Sequence, residues 1–141
     1  MSGVTLKKSP SRIKNAATFG AGNLTTGTTT RYLPYGYVSG NAPTTPQDVK
    51  LVAPEVIDTI GVHINSAGAD ATDSVTFTLR KNGAPTALAL VISPLNGTVD
   101  ASTTGAPVTF APGDTWGMQN DKSGTLTTAP MDVYVTIGRT T

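Results

Sequence analysis

A catalytic or metal-binding protein must gather titratable side chains, and this chain of 141 residues has few to gather: one His (His63), one Glu (Glu55), eight Asp and no Cys. With no thiolate and a single imidazole, a transition-metal site would hold at most one of its preferred ligands. The run Asp70-Ala71-Thr72-Asp73 offers two carboxylates and a hydroxyl to a hard cation, but Ca²⁺ takes roughly six to eight oxygens. A solvated turn accounts for the same residues. A Ser-His-Asp relay needs a nucleophile beside His63, and no Gly-x-Ser-x-Gly turn presents one. Neither Gly-x-x-x-x-Gly-Lys nor Gly-x-Gly-x-x-Gly occurs, so no phosphate cradle is written here. These residues imply a chain that is not an enzyme and carries no cofactor or metal.

The charges are unevenly spread. Lys7, Lys8, Arg12 and Lys14 fall within the first fourteen residues with no acid among them, whereas residues 15–141 hold six bases against nine acids. The apolar residues Val4, Leu6, Ile13, Phe19 and Leu24 follow no steady period of strand or helix. Residues 1–27 therefore read as an extended basic arm, unable to bury enough surface to fold unaided and ordered only by lying on a neighbour. The natural neighbour is an acidic protein surface, with Lys7, Lys8, Arg12 and Lys14 as charges and Ile13 and Phe19 as apolar pegs. No aromatic platform is interleaved with these bases and the remaining chain is slightly acidic, which argues against nucleic acid. No apolar run of eighteen residues occurs, so no membrane span is expected. The start of the chain lacks the apolar stretch of a secretory signal.

What must position these side chains is a β-domain over residues 28–141. Charged residues make up 13 % of the chain, about half the usual share. Polarity comes instead from 25 Thr and 9 Ser, and Thr suits a pleated sheet better than a helix interior. Fifteen Gly and ten Pro leave no room for long helices. Alternation predicts strands at Val56–Asn65, Val75–Lys81, Thr86–Ser93 and Met131–Ile137, with shorter ones at Thr98–Thr103, Val108–Phe110 and Thr115–Asn120. On that alternation His63 points away from Ile60, Val62 and Ile64, as a surface or interface residue. Pro34 and Gly36 make Thr28–Val38 an edge or irregular piece. Asn82-Gly83 marks a hairpin turn that Ala84-Pro85 is expected to lengthen. The fold class is all-β: a two-sheet sandwich, specifically a jelly roll of about eight strands. Tyr32, Tyr35, Tyr37 and Trp116 are candidates for a subunit interface, since these rings bury large area and keep a polar handle; ordinary core packing is the equal alternative.

Four stretches carry a likeness: VTFTLRKNG from Val75, TALALVI from Thr86, VTFAPGDTWG from Val108 and DVYVTIG from Asp132. Their order of strand, Asn-Gly turn, strand, Pro-Gly-Asp turn and final alternating strand resembles the small jelly-roll modules of tailed-phage structural proteins. It is also similar to the trimeric TNF/C1q-like heads of bacterial collagen-like proteins. Because no Gly-X-Y stalk or heptad run precedes the domain, the resemblance points to capsid decoration (cement) proteins. It implies a homotrimer on the outer surface of a bacteriophage capsid that bridges neighbouring copies of the major capsid protein through its N-terminal arm and stabilises the virion. The alternative is the receptor-binding head of a tail fibre or spike that recognises a host glycan or protein.

Overall fold

The computed structural model describes residues 13–70, 72–123 and 126–141. Among these residues the chain forms twelve strands. The first six are β1 (Ile13–Asn23), β2 (Arg31–Leu33), β3 (Val38–Asn41), β4 (Val49–Lys50), β5 (Glu55–Ser66) and β6 (Ala69–Asp70). The others are β7 (Val75–Lys81), β8 (Ala84–Ile92), β9 (Leu95–Asn96), β10 (Val99–Phe110), β11 (Thr115–Lys122) and β12 (Met131–Thr140).

Two five-stranded sheets face each other. One runs β10-β5-β12-β1-β3; the other runs β2-β11-β7-β8, with β4 also paired to β11. With the short strands β3, β4, β6 and β9 set aside, the first sheet holds the first, eighth, third and sixth strands, and the second holds the second, seventh, fourth and fifth. That winding is a jelly roll. Its interior follows from period-two alternation: Ile60, Val62 and Ile64 of β5, Val133, Val135 and Ile137 of β12, and Val75, Phe77 and Leu79 of β7 are all buried.

The boundary expected at residue 27 does not stand. β1 lies inside the first sheet, antiparallel to β12 from Ile13↔Thr140 to Asn23↔Met131 and parallel to β3 on its other side. Ala17, Phe19 and Ala21 alternate into the core, and Leu24 beyond them is also buried. Small residues conceal the pattern: two alanines flank one Phe, and Gly20 and Gly22 occupy the outward positions. The sandwich therefore includes the chain from residue 13 onward.

Two local expectations also change. The Asn82-Gly83 turn is a tight two-residue loop, both residues having positive φ (51° and 82°) and Lys81 pairing with Ala84; this is the mirror-image turn that matches strand twist. Pro85 sits within β8 because β8 is the sheet's edge, where a missing N–H costs no ladder bond. The two strands expected at Thr98–Thr103 and Val108–Phe110 are one strand, β10, whose register slips between Thr104 and Val108. Pro34 and Gly36 interrupt the chain where it leaves β2 in one sheet and enters β3 in the other.

Candidate functional site

The outer face of the β10-β5-β12-β1-β3 sheet is assembled in rungs. Asp100, His63, Tyr134 and Gly20 stand side by side across β10, β5, β12 and β1; Ser102, Gly61, Thr136 and Thr18 form the next rung. Tyr37, just before β3, lies along β1. A Cβ at Gly20 would collide with its ring and a Cβ at Gly22 would crowd its hydroxyl. That hydroxyl donates to Asp132 Oδ1 at 3.0 Å, and the ring stacks on Tyr134 with centroids 5.1 Å apart. Desolvation, then the Asp132 carboxylate, raises the Tyr37 phenol above its ordinary pKa. The absent side chain of Gly61 leaves a shallow depression of about 430 Å³ bordered by His63, Asp100, Ser102, Tyr134 and Thr136. These rungs carry no lysine or arginine.

His63 is the most constrained group on this face. Its Nδ1 hydrogen-bonds with Asp100 Oδ1 at 2.6 Å and its Nε2 with the Asn65 side-chain amide at 2.7 Å. A carboxylate on one side of the ring and an amide on the other favour its charged form. The Asp100 bond first, and the Asn65 bond second, raise its pKa above the ordinary 6.5. With both ring nitrogens engaged, the imidazole is held in place by Asp100 and Asn65. Because the folded pKa is the higher one, the pair stabilises the fold fully below the unfolded value and is lost as pH rises through the folded value. An NMR titration of His63 should give a midpoint above 6.5, falling in Asp100→Asn. Equal midpoints in the two proteins would remove the Asp100 bond from the account.

The residues singled out from the sequence divide. Lys7, Lys8 and Arg12 lie outside the described residues. Ile13 opens β1, and Lys14 beside it is exposed. Phe19 is no peg for a partner: it is wholly buried in the protomer's own core, because period two carries it inward between Ala17 and Ala21. Trp116 is likewise withdrawn from a subunit interface, being 4 % exposed and packed edge-on against Phe110 at 5.7 Å. Tyr35 and Tyr37 remain exposed. Tyr35 makes an edge contact with Phe19 at 5.9 Å.

Tyr32 belongs to the opposite side of the molecule. There Arg80, outward-facing on β7 but only 5 % exposed, lies 5.0 Å from the Tyr32 ring centroid. Arg80 donates to Asp48 at 3.2 Å, to Gln119 Oε1 at 2.9 Å and to the Gly83 carbonyl at 2.8 Å. Gln119 and Thr30 each donate in turn to Asp121. The segment leading into β4 thus roofs this sheet, and a Cβ at Gly117 would overlap the Asp48 carboxylate. Asp70 Oδ1 accepts from the amides of Thr72 and Asp73.

Alternation placed His63 on the outer face; the Asp100–His63–Tyr134 rung needed the strand register, which joins residues of three strands. The sequence matches no protein-family model, and a search of curated proteins likewise finds no match.

Proposed function

We propose that this chain is a non-enzymatic structural protein of a phage particle. It decorates the outer capsid surface as a homotrimer and bridges neighbouring copies of the major capsid protein through its basic N-terminal segment. The observation that carries this reading is that the basic segment runs directly into β1, which pairs with β12 from Ile13 to Asn23 and with β3 at its far end. A strap attached there transmits tension to the whole β1–β12 ladder, because a pull along β1 loads its bonds together. A protein that binds only the closed shell stabilises that state by mass action. Three tethered straps act at high effective concentration, so weak single contacts give firm retention.

The face centred on Tyr37 and Tyr134 suits the trimer contact: two stacked rings at its centre, with Thr, Ser and Gly and the His63–Asp100 pair around them, and none of the lysines that interfaces avoid. The same depression favours a second reading, a receptor-binding head, since an aromatic ring flanked by Asp, Asn and Ser is the chemistry that grips a saccharide. One face cannot serve both purposes in one assembly. Tyr134→Glu should convert a particle of three chain masses to a monomer by light scattering. In co-sedimentation with shells lacking this protein, Lys7→Glu/Lys8→Glu/Arg12→Glu should abolish binding while the trimer persists. A wild-type monomer that binds bacterial surface glycan and ignores shells would replace the first reading with the second.

A further inference from the structure

The basic character of the N-terminal segment continues into the folded body. Lys14 of β1 stands directly opposite Arg139 of β12 in the antiparallel ladder, and both are exposed. Like charges directly opposite on a sheet repel and cost stability unless a counter-charge lies between them. Neither base forms an ion pair with a carboxylate among the described residues. Both line a concavity of about 820 Å³ at the end of the sandwich, whose far wall is Pro54, Glu55 and Val56.

The body's other bases are nearly all occupied. Arg80 is paired with Asp48. Lys81 donates to the Thr109 carbonyl and lies near Asp114. Lys122 is buried against the Leu24 carbonyl, and Arg31 donates to that of Ala42. Lys50 alone of the rest is exposed on a strand elsewhere. Of the two acids near the concavity, Asp58 accepts from the amide and hydroxyl of Thr140 and interacts electrostatically with Arg139, and Glu55 lines the concavity with the two bases. Apart from Lys50, the exposed bases with no ion pair among the described residues thus gather where the N-terminal segment meets the sandwich.

We propose that the Lys14–Arg139 pair is a docking site on the folded body for an acidic peptide segment, a carboxylate of the partner sitting between the two cations. The inference rests on the decoration reading and extends it: attachment is bipartite, with the strap reaching outward and this clasp holding the partner at the strap's root. The committed occupant is an acidic stretch of a lattice protein, for which a hexaglutamate peptide is the probe.

The full-length ¹⁵N-labelled protein, titrated with hexaglutamate at low salt, should show saturable shifts at Lys14, Glu55, Val56 and Arg139. Lys14→Glu/Arg139→Glu should weaken binding on the order of tenfold, as expected for losing two exposed charge contacts, with the amide spectrum of the sandwich otherwise preserved. Lys14→Gln/Arg139→Gln should fall between. Unchanged binding in the reversed variant, or shifts confined to residues 1–12, would overturn the clasp. So would a duplex oligonucleotide that shifts the same residues while the peptide does not. A protein that binds hexaglutamate here yet ignores shells would keep the clasp and reject the decoration reading; binding to shells that survives Lys14→Glu/Arg139→Glu would do the reverse.

Discussion

Phe19→Ala should cost about 3–5 kcal/mol of unfolding free energy, the range for emptying a phenylalanine site in a core that relaxes only partly. Phe19 is 0 % exposed, and Ala17 and Ala21, which share its face of β1, are too small to fill the space. Its ring also forms the edge contact beneath Tyr35, and the isolated bridge between these two residues ties the β2–β3 corner to β1. Equilibrium urea unfolding measures the loss. Phe19→Leu, which keeps most of the volume, should cost about 1 kcal/mol. A peg on an unattached arm would behave differently, its truncation shifting stability by less than about 0.5 kcal/mol. The substitution therefore decides whether the sandwich begins near residue 13 or near residue 28.

Arg80→Met should be comparably severe, about 3–5 kcal/mol, for a different reason. Arg80 and Asp48 are 6 % and 17 % exposed at their side chains. Removing one partner of so enclosed a pair strands the other's charge, and that uncompensated charge is the main cost. The Gln119 amide and the Gly83 carbonyl would lose their donors as well. Asp48→Asn/Arg80→Met should lose less than the two single variants summed, because the second change removes the charge the first one stranded. Gly117→Ala tests the same arrangement from the backbone side: its methyl group would take the place of the Asp48 carboxylate, lifting the roof off Arg80. Thermal unfolding of these four proteins suffices; an Arg80→Met loss below about 1 kcal/mol would mean that water, not Asp48, compensates this guanidinium.

Sequence reasoning succeeded where alternation was made of large residues and failed where it was made of small ones. Ile60, Val62 and Ile64 declare β5, and Val133, Val135 and Ile137 declare β12, because branched side chains recur at every second position. β1 carries the same period as Ala-Phe-Ala against Gly-Gly, too little apolar volume to stand out from a linker. Arg80 alternates outward as expected, yet it is buried because the roof over it comes from residues more than thirty positions earlier. Burial of that kind depends on tertiary approach and leaves no local mark. The outer-face rung is similar: His63, Asp100 and Tyr134 become neighbours only when β5 pairs with both β10 and β12. For Trp116 the sequence leaves core and interface equally open, because an aromatic with a polar handle suits both; its burial and its contact with Phe110 decide for the core.

The functional account depends on a strap rooted in β1. Electron cryomicroscopy of shells saturated with this protein tests that most directly. The account predicts density for residues 1–12 running from Lys14 across a neighbouring capsid subunit, with Lys7, Lys8 and Arg12 against its carboxylates. Density that contacts the shell only through sandwich loops, with the basic segment turned away from every capsid subunit, would contradict it.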